Sequence, residues 1–152
     1  MPSKRYRLKL ATWMVVRESG EPSPRILKDP ATAALLARDL VEASDDDKEH
    51  FWVVLLNSKH RYVMHTEVSK GTLNASLVHP REVFGPAVRE GACTILLAHN
   101  HPSGDPAPSA EDRELTSRLK ECGKLLGIEV LDHVIVGNGT GRWFSFRDTG
   151  SL

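Results

Sequence analysis

The chain has 152 residues, the size of one compact domain, and its 40% apolar and 26% charged content is that of an ordinary globular protein. Its 20 basic residues balance 20 acidic ones, so the overall charge gives neither the basic footprint of a nucleic-acid-binding domain nor attraction to an anionic membrane. No run approaches the roughly 18 apolar residues of a membrane span, and no apolar leader opens the chain, so the expected location is the cytoplasm.

In chain order, residues 5–17 alternate polar and apolar and predict a strand, basic at Lys4, Arg5, Arg7 and Lys9. Gly20, Pro22, Ser23 and Pro24 mark a linker, so residues 1–29 are assigned to an N-terminal strand and linker and residues 30–152 to the domain proper. Asp29 before Pro30 predicts a helix start, and Ala33, Leu36, Ala37, Leu40 and Val41 carry a helical spacing to about Ser44. Asp45, Asp46 and Asp47 read as a solvated connection. FWVVLL at 51–56 is a buried central strand, with residues 61–68 its partner across a short turn.

Residues 69–78 read as a loop, and Pro80 opens a helix that ends near Gly91. CTILLA at 93–98 is a second buried strand, and residues 99–108, with three prolines and a glycine, are expected to be irregular. Ser109 caps a helix to about Gly123, and strands follow at 128–136 and 142–146. Alternating strands and helices give one α/β domain with a mixed sheet and helices packed on it. Cys93 and Cys122 form no CxxC pair and are expected to be reduced.

Chemistry concentrates in LLAHNHPSGDPAPSAED at 96–112. Residues two apart in extended backbone point to one side, so His99 and His101 can converge on one metal ion. Asp112 in the first turn of the following helix adds a carboxylate where the helix dipole favours one. Two histidines and a carboxylate leave the fourth position of a tetrahedral zinc open, as catalysis requires. Taken alone, a His-x-His pair is a weak signal, Ser109-x-x-Asp112 also reads as a capping box, and Asp105 reads as a turn residue.

Together, His99-x-His101, seven residues, Ser109, two residues and Asp112 resemble the JAMM (MPN+) metalloprotease motif. His-Asn-His-Pro-Ser-Gly-Asp-Pro at 99–106 resembles its RadC-like branch. The similarity extends over residues 30–152 and takes in Gly71-Thr72-Leu73-Asn74, His79-Pro80-Arg81-Glu82 and Leu131-Asp132-His133. The resemblance implies a JAB/MPN-like domain of cytidine-deaminase-like architecture. It further implies zinc held by His99, His101 and Asp112, and Ser109 donating to an oxyanion. Glu49, just ahead of the first buried strand, would be the general base, with Glu67 as runner-up. The implied reaction is zinc-dependent hydrolysis of a peptide or isopeptide amide, with a peptide or protein as substrate. His133 belongs to the family-like stretch and is a candidate for lining the site; His50, His60, His65 and His79 read as structural.

Three other readings are weighed against this one. A nucleobase deaminase needs His-x-Glu and Pro-Cys-x-x-Cys; here the position after Asn100 is His101, and no Pro-Cys-x-x-Cys exists. RadC-like proteins are commonly labelled as DNA-repair proteins, which implies a non-enzymatic module that binds DNA or a partner. Residues 1–29 are too short for the helix-hairpin-helix region of full-length members, and the balanced charge adds no independent support. A metal-free scaffold of the same fold is opposed by the intact motif.

Overall fold

The computed structural model describes residues 26–71 and 78–152. The strand expected at 5–17, the linker at 20–24 and Thr72, Leu73 and Asn74 of the family-like stretch lie outside the described residues. The described chain begins with Ile26, which bridges to Arg61, and Leu27, which is buried in the core.

Helix α1 (Pro30–Ser44) starts as its sequence requires: the Asp29 side chain accepts the Thr32 N–H at 2.8 Å, and Pro30 occupies the first turn. Strands β1 (His50–Leu56) and β2 (Tyr62–Lys70) form an antiparallel pair. Helix α2 (Pro80–Glu90) leads to β3 (Thr94–His101), and α3 (Ala110–Leu126) crosses over to β4 (Glu129–Gly137), which lies parallel to β3. Strand β5 (Trp143–Ser145) closes the sheet, whose order is β2-β1-β3-β4-β5. The sheet is therefore mixed, as expected.

Two corrections concern element ends. Strand β3 does not stop at Ala98 but runs through His101, because Phe51 pairs with His99 and Gly137 with His101 before Pro102 ends the ladder. Helix α3 passes Gly123 and stops at Gly127, whose φ of 70° is the left-handed conformation that ends helices.

The continuous apolar runs of β1 and β3 are explained by burial on both faces. Trp52, Val54, Leu56, Leu96 and Ala98 pack against Ala33, Leu36, Ala37 and Leu40 of α1. Phe51, Val53, Leu55, Ile95 and Leu97 pack against Val83 and Phe84 of α2 and Leu115 and Leu119 of α3. Each such side chain, once enclosed, contributes about 1.5–3 kcal/mol. Alternation along β3 then continues past the core: His99 and His101 fall on the α3 side, Asn100 on the α1 side.

Strand β4 carries a bulge. Ile95 pairs with Val130, but Leu96 pairs with Asp132, so Leu131 is the extra residue. Val130 packs on the α3 side and Leu131, Val134 and Val136 on the α1 side. Unbroken alternation from Val130 would turn His133 toward α1; the bulge turns it toward α3 instead.

At the end of β4, Gly137 lies so close to the loop after β3 that a Cβ there would sit 2.0 Å from the Gly104 carbonyl oxygen. Gly104 itself has a φ of 88°. Gly137→Ala must displace backbone, and it is expected to lower stability by about 1–3 kcal/mol in urea denaturation. An unchanged midpoint would show that the loop at 102–108 moves freely.

Candidate metal centre

Three elements deliver the four groups that meet at one end of the sheet. His99 and His101 are the last inward residues of β3. Asp112 is the third residue of α3, and Glu49 directly precedes β1. One ligand atom from each lies within 4.8 Å of all the others, a donor set that could hold a metal ion.

The histidine Nε2 atoms are 3.0 Å apart. The carboxylate of Asp112 spans them, Oδ1 at 3.2 Å from His99 Nε2 and Oδ2 at 3.1 Å from His101 Nε2. Glu49 Oε1 stands farther off, 3.8 Å from each Nε2. His99 and Asp112 are buried, while His101 and Glu49 are partly exposed, so the site opens on the Glu49 side. Two carboxylates this close together repel, and a cation between them relieves that repulsion.

Ser109 and Asp112 form the full capping box. The Ser109 hydroxyl accepts the Asp112 N–H at 3.1 Å, and Asp112 Oδ2 accepts the Ser109 N–H at 2.8 Å. The cap and the metal-site readings thus coincide, because the cap fixes the carboxylate that faces the histidines. Burial pushes the Asp112 carboxyl up, but its hydrogen bonds to His101 and His99 outweigh this and hold it well below the usual carboxylate range. Burial also pushes His101 down, yet its bonds to Asp112 and to the Asp105 carbonyl leave it raised. His101 Nδ1 donates to that carbonyl at 2.7 Å, which leaves the Nε2 lone pair facing the cluster. Asp105 is the turn residue expected, its side chain accepting the Ala107 N–H at 3.0 Å.

Glu67 is not part of the cluster. It bonds His50 Nδ1, while Asp46 takes His50 Nε2 at 2.6 Å and Lys70 at 2.9 Å. Asp46 is accordingly a bonded residue rather than a solvated one, and His50 is buried and stacked on Trp52.

Two residues were missed in the sequence. Asn100 is buried on the face opposite the histidines and accepts the His50 N–H at 2.7 Å. It donates to the Lys48 carbonyl at 2.9 Å. Its amide therefore holds the backbone on both sides of Glu49, and the only sequence cue was a polar residue between two strand histidines. Thr116 of α3 is buried against His133. His133 itself, a candidate for lining the site, bonds His99 Nδ1 at 2.7 Å and faces no open surface. Burial, followed by the nearby His99, keeps it well below the ordinary histidine range.

Comparison with known proteins places this site in a family. The family model described as RadC-like JAB domain matches residues 27–151. A UPF0758 protein of Trichlorobacter lovleyi is 56% identical over 111 residues, covering 73% of this chain and 47% of its own length. A UPF0758 protein of Rubrobacter xylanophilus is 50% identical over 138 residues, covering 91% of this chain and 57% of its own. The chain thus spans about half the length of the curated relatives it matches. No helix among the described residues is long and apolar enough to cross a membrane. With the mixed five-stranded sheet, the site at the end of its central strands and a family match over most of its length, the chain belongs to the RadC-like JAB domain family.

Proposed function

We propose that the chain is a zinc-dependent hydrolase of JAMM type that cleaves a peptide or isopeptide amide in a peptide or protein substrate. The observation that carries this reading is the triangle of His99 Nε2, His101 Nε2 and the Asp112 carboxylate, the nitrogens 3.0 Å apart, Oδ1 3.2 Å from the first and Oδ2 3.1 Å from the second. Tetrahedral zinc with bonds of about 2.0–2.1 Å has ligand-to-ligand edges of about 3.3 Å, close to that triangle. His99, His101 and Asp112 would hold the ion, and when bound it supplies Lewis acidity that acidifies water and polarises a carbonyl.

Glu49, 3.8 Å from both nitrogens, is set back from the triangle and suits a base rather than a ligand. It takes a proton from the attacking water and returns it to the leaving amine. The Ser109 hydroxyl accepts one bond from Asp112 and keeps its own hydrogen, which it donates to the developing oxyanion.

The test begins with elemental analysis of purified protein beside a His99→Ala/His101→Ala variant. About one zinc per chain, lost in the variant, is the expected result, followed by turnover in a screen of peptide and ubiquitin-like amides. No metal in either protein after zinc is supplied at neutral pH would overturn the hydrolase reading. Bound zinc with no turnover of any amide would favour a binding module over an enzyme.

A further inference from the structure

The two histidines are oriented in different ways. His101 Nδ1 meets the Asp105 carbonyl directly. His99 Nδ1 meets another histidine: His133 Nε2 lies 2.7 Å away. His133 Nδ1 is 2.5 Å from Thr116 Oγ1, and that hydroxyl is 2.6 Å from the Asp112 carbonyl oxygen. His99, His133, Thr116 and Asp112 are all buried, and the His133 ring is stacked on Phe146 with its centroid 4.8 Å away.

Only one direction of the hydrogens in this chain leaves His99 able to bind a metal. A carbonyl oxygen only accepts, so the Thr116 hydroxyl gives it its single hydrogen. Toward His133 the hydroxyl is then an acceptor, and His133 Nδ1 carries the hydrogen. For His99 Nε2 to offer a metal its lone pair, the His99 hydrogen sits on Nδ1 and His133 Nε2 accepts it. A neutral His99 then has its Nε2 lone pair available to a metal held beside Asp112 and His101. In the opposite arrangement both His133 nitrogens are protonated and His99 carries its hydrogen on Nε2, where it offers a metal nothing.

We infer that His133 and Thr116 are positioning residues that fix the tautomer and ring plane of His99, through a buried relay that begins at one metal ligand and ends on the backbone of another, Asp112. This rests on the metal-site reading above. A helical threonine bonded to the carbonyl four residues back is common and means little alone. Here the same hydroxyl also receives His133, so the first turn of α3 and the end of β3 are tied by polar as well as apolar contact. The relay explains why α3 bears both a ligand, Asp112, and one turn later a buried hydroxyl. Outer partners of this kind change metal affinity by about 10–100-fold.

The test uses the full chain labelled with 15N-histidine. In the metal-free wild type, long-range proton–nitrogen correlation is expected to show the His99 hydrogen on Nδ1. Thr116→Val keeps the shape but removes the acceptor. It is expected to mix the His99 tautomers and to weaken zinc binding by about 10–100-fold in chelator competition, with Thr116→Ser restoring both. His133→Gln provides a second break in the chain if the valine variant folds poorly. Wild-type zinc affinity and an unmixed tautomer in both broken variants would overturn the relay, as would a wild-type His99 with no hydrogen on Nδ1. If the wild type takes up no zinc, the hydrolase reading fails, while the relay is still decided by the metal-free spectrum.

Discussion

Glu49→Gln is expected to keep the metal and to lose amide hydrolysis by a factor of about 10²–10⁴, the usual contribution of a positioned acid-base group. Glutamine preserves the size and most of the bonding of the side chain but takes no proton at neutral pH. The placement of Glu49 depends on Asn100, whose amide bonds the backbone at Lys48 and His50. Glu67→Gln is the informative control: that carboxylate bonds His50, away from the cluster, so turnover is expected to change far less. Full activity in the Glu49 variant, with loss in the Glu67 variant, would reverse the assignment. Metal content measured in the same samples separates loss of the base from loss of the site.

Zinc is expected to raise the thermal midpoint by roughly 8–16 °C when it is present at about a thousandfold excess over Kd. Binding to the folded chain alone contributes about 4 kcal/mol at that excess, and each kcal/mol moves the midpoint of a chain this size by about 2–4 °C. Asp112→Asn should abolish the shift, and a full shift in that variant would remove Asp112 from the ligand set. The effect also has a direction in pH, because ligands must shed protons to bind. His101 is raised, since its bonds to Asp112 and Asp105 outweigh burial, so it competes for protons above the ordinary value of 6.5. The zinc shift should therefore fade as pH falls through that raised value.

Without zinc the sign differs. The raised His101 contributes stability that is full below 6.5 and is lost as pH rises through its folded value. The depressed Asp112 contributes above 3.8 and loses its effect as pH falls through its folded value. The pair thus favours the metal-free fold most between 3.8 and 6.5. Melting curves across pH, with zinc and with chelator, should therefore converge as pH falls and separate as it rises.

Much of this was legible because the signals were local. The apolar runs at 51–56 and 93–98 announced strands buried on both faces, and Asp29-Pro30 announced a helix start. Spacing allowed His99 and His101 to converge and put Asp112 at a helix start, the resemblance to the JAMM motif grouped them with Glu49, and the structure brings the four together. The strand end was misplaced because prolines dominated the reading of 99–108. All three prolines follow His101, and pairing on both sides carries the strand to that point. Asn100, Thr116 and the partnership of His133 with His99 were illegible for another reason. Each depends on a partner 17 to 52 positions away. Strict alternation from Val130 would turn His133 toward α1, and nothing local marks the extra residue at Leu131.

The extra residue in β4 divides that strand into two stretches whose inward and outward positions are counted separately. A length change of one residue at Leu131 is absorbed there, since Asp132 already pairs with Leu96 and everything downstream keeps its facing. The same change between His133 and Gly137 has no such buffer. It inverts the parity of the strand end and brings Asn138 or Val136 into the seat beside Gly104 that tolerates no Cβ. Variation in chain length along this strand is thus confined to one point, upstream of the histidine that faces the site.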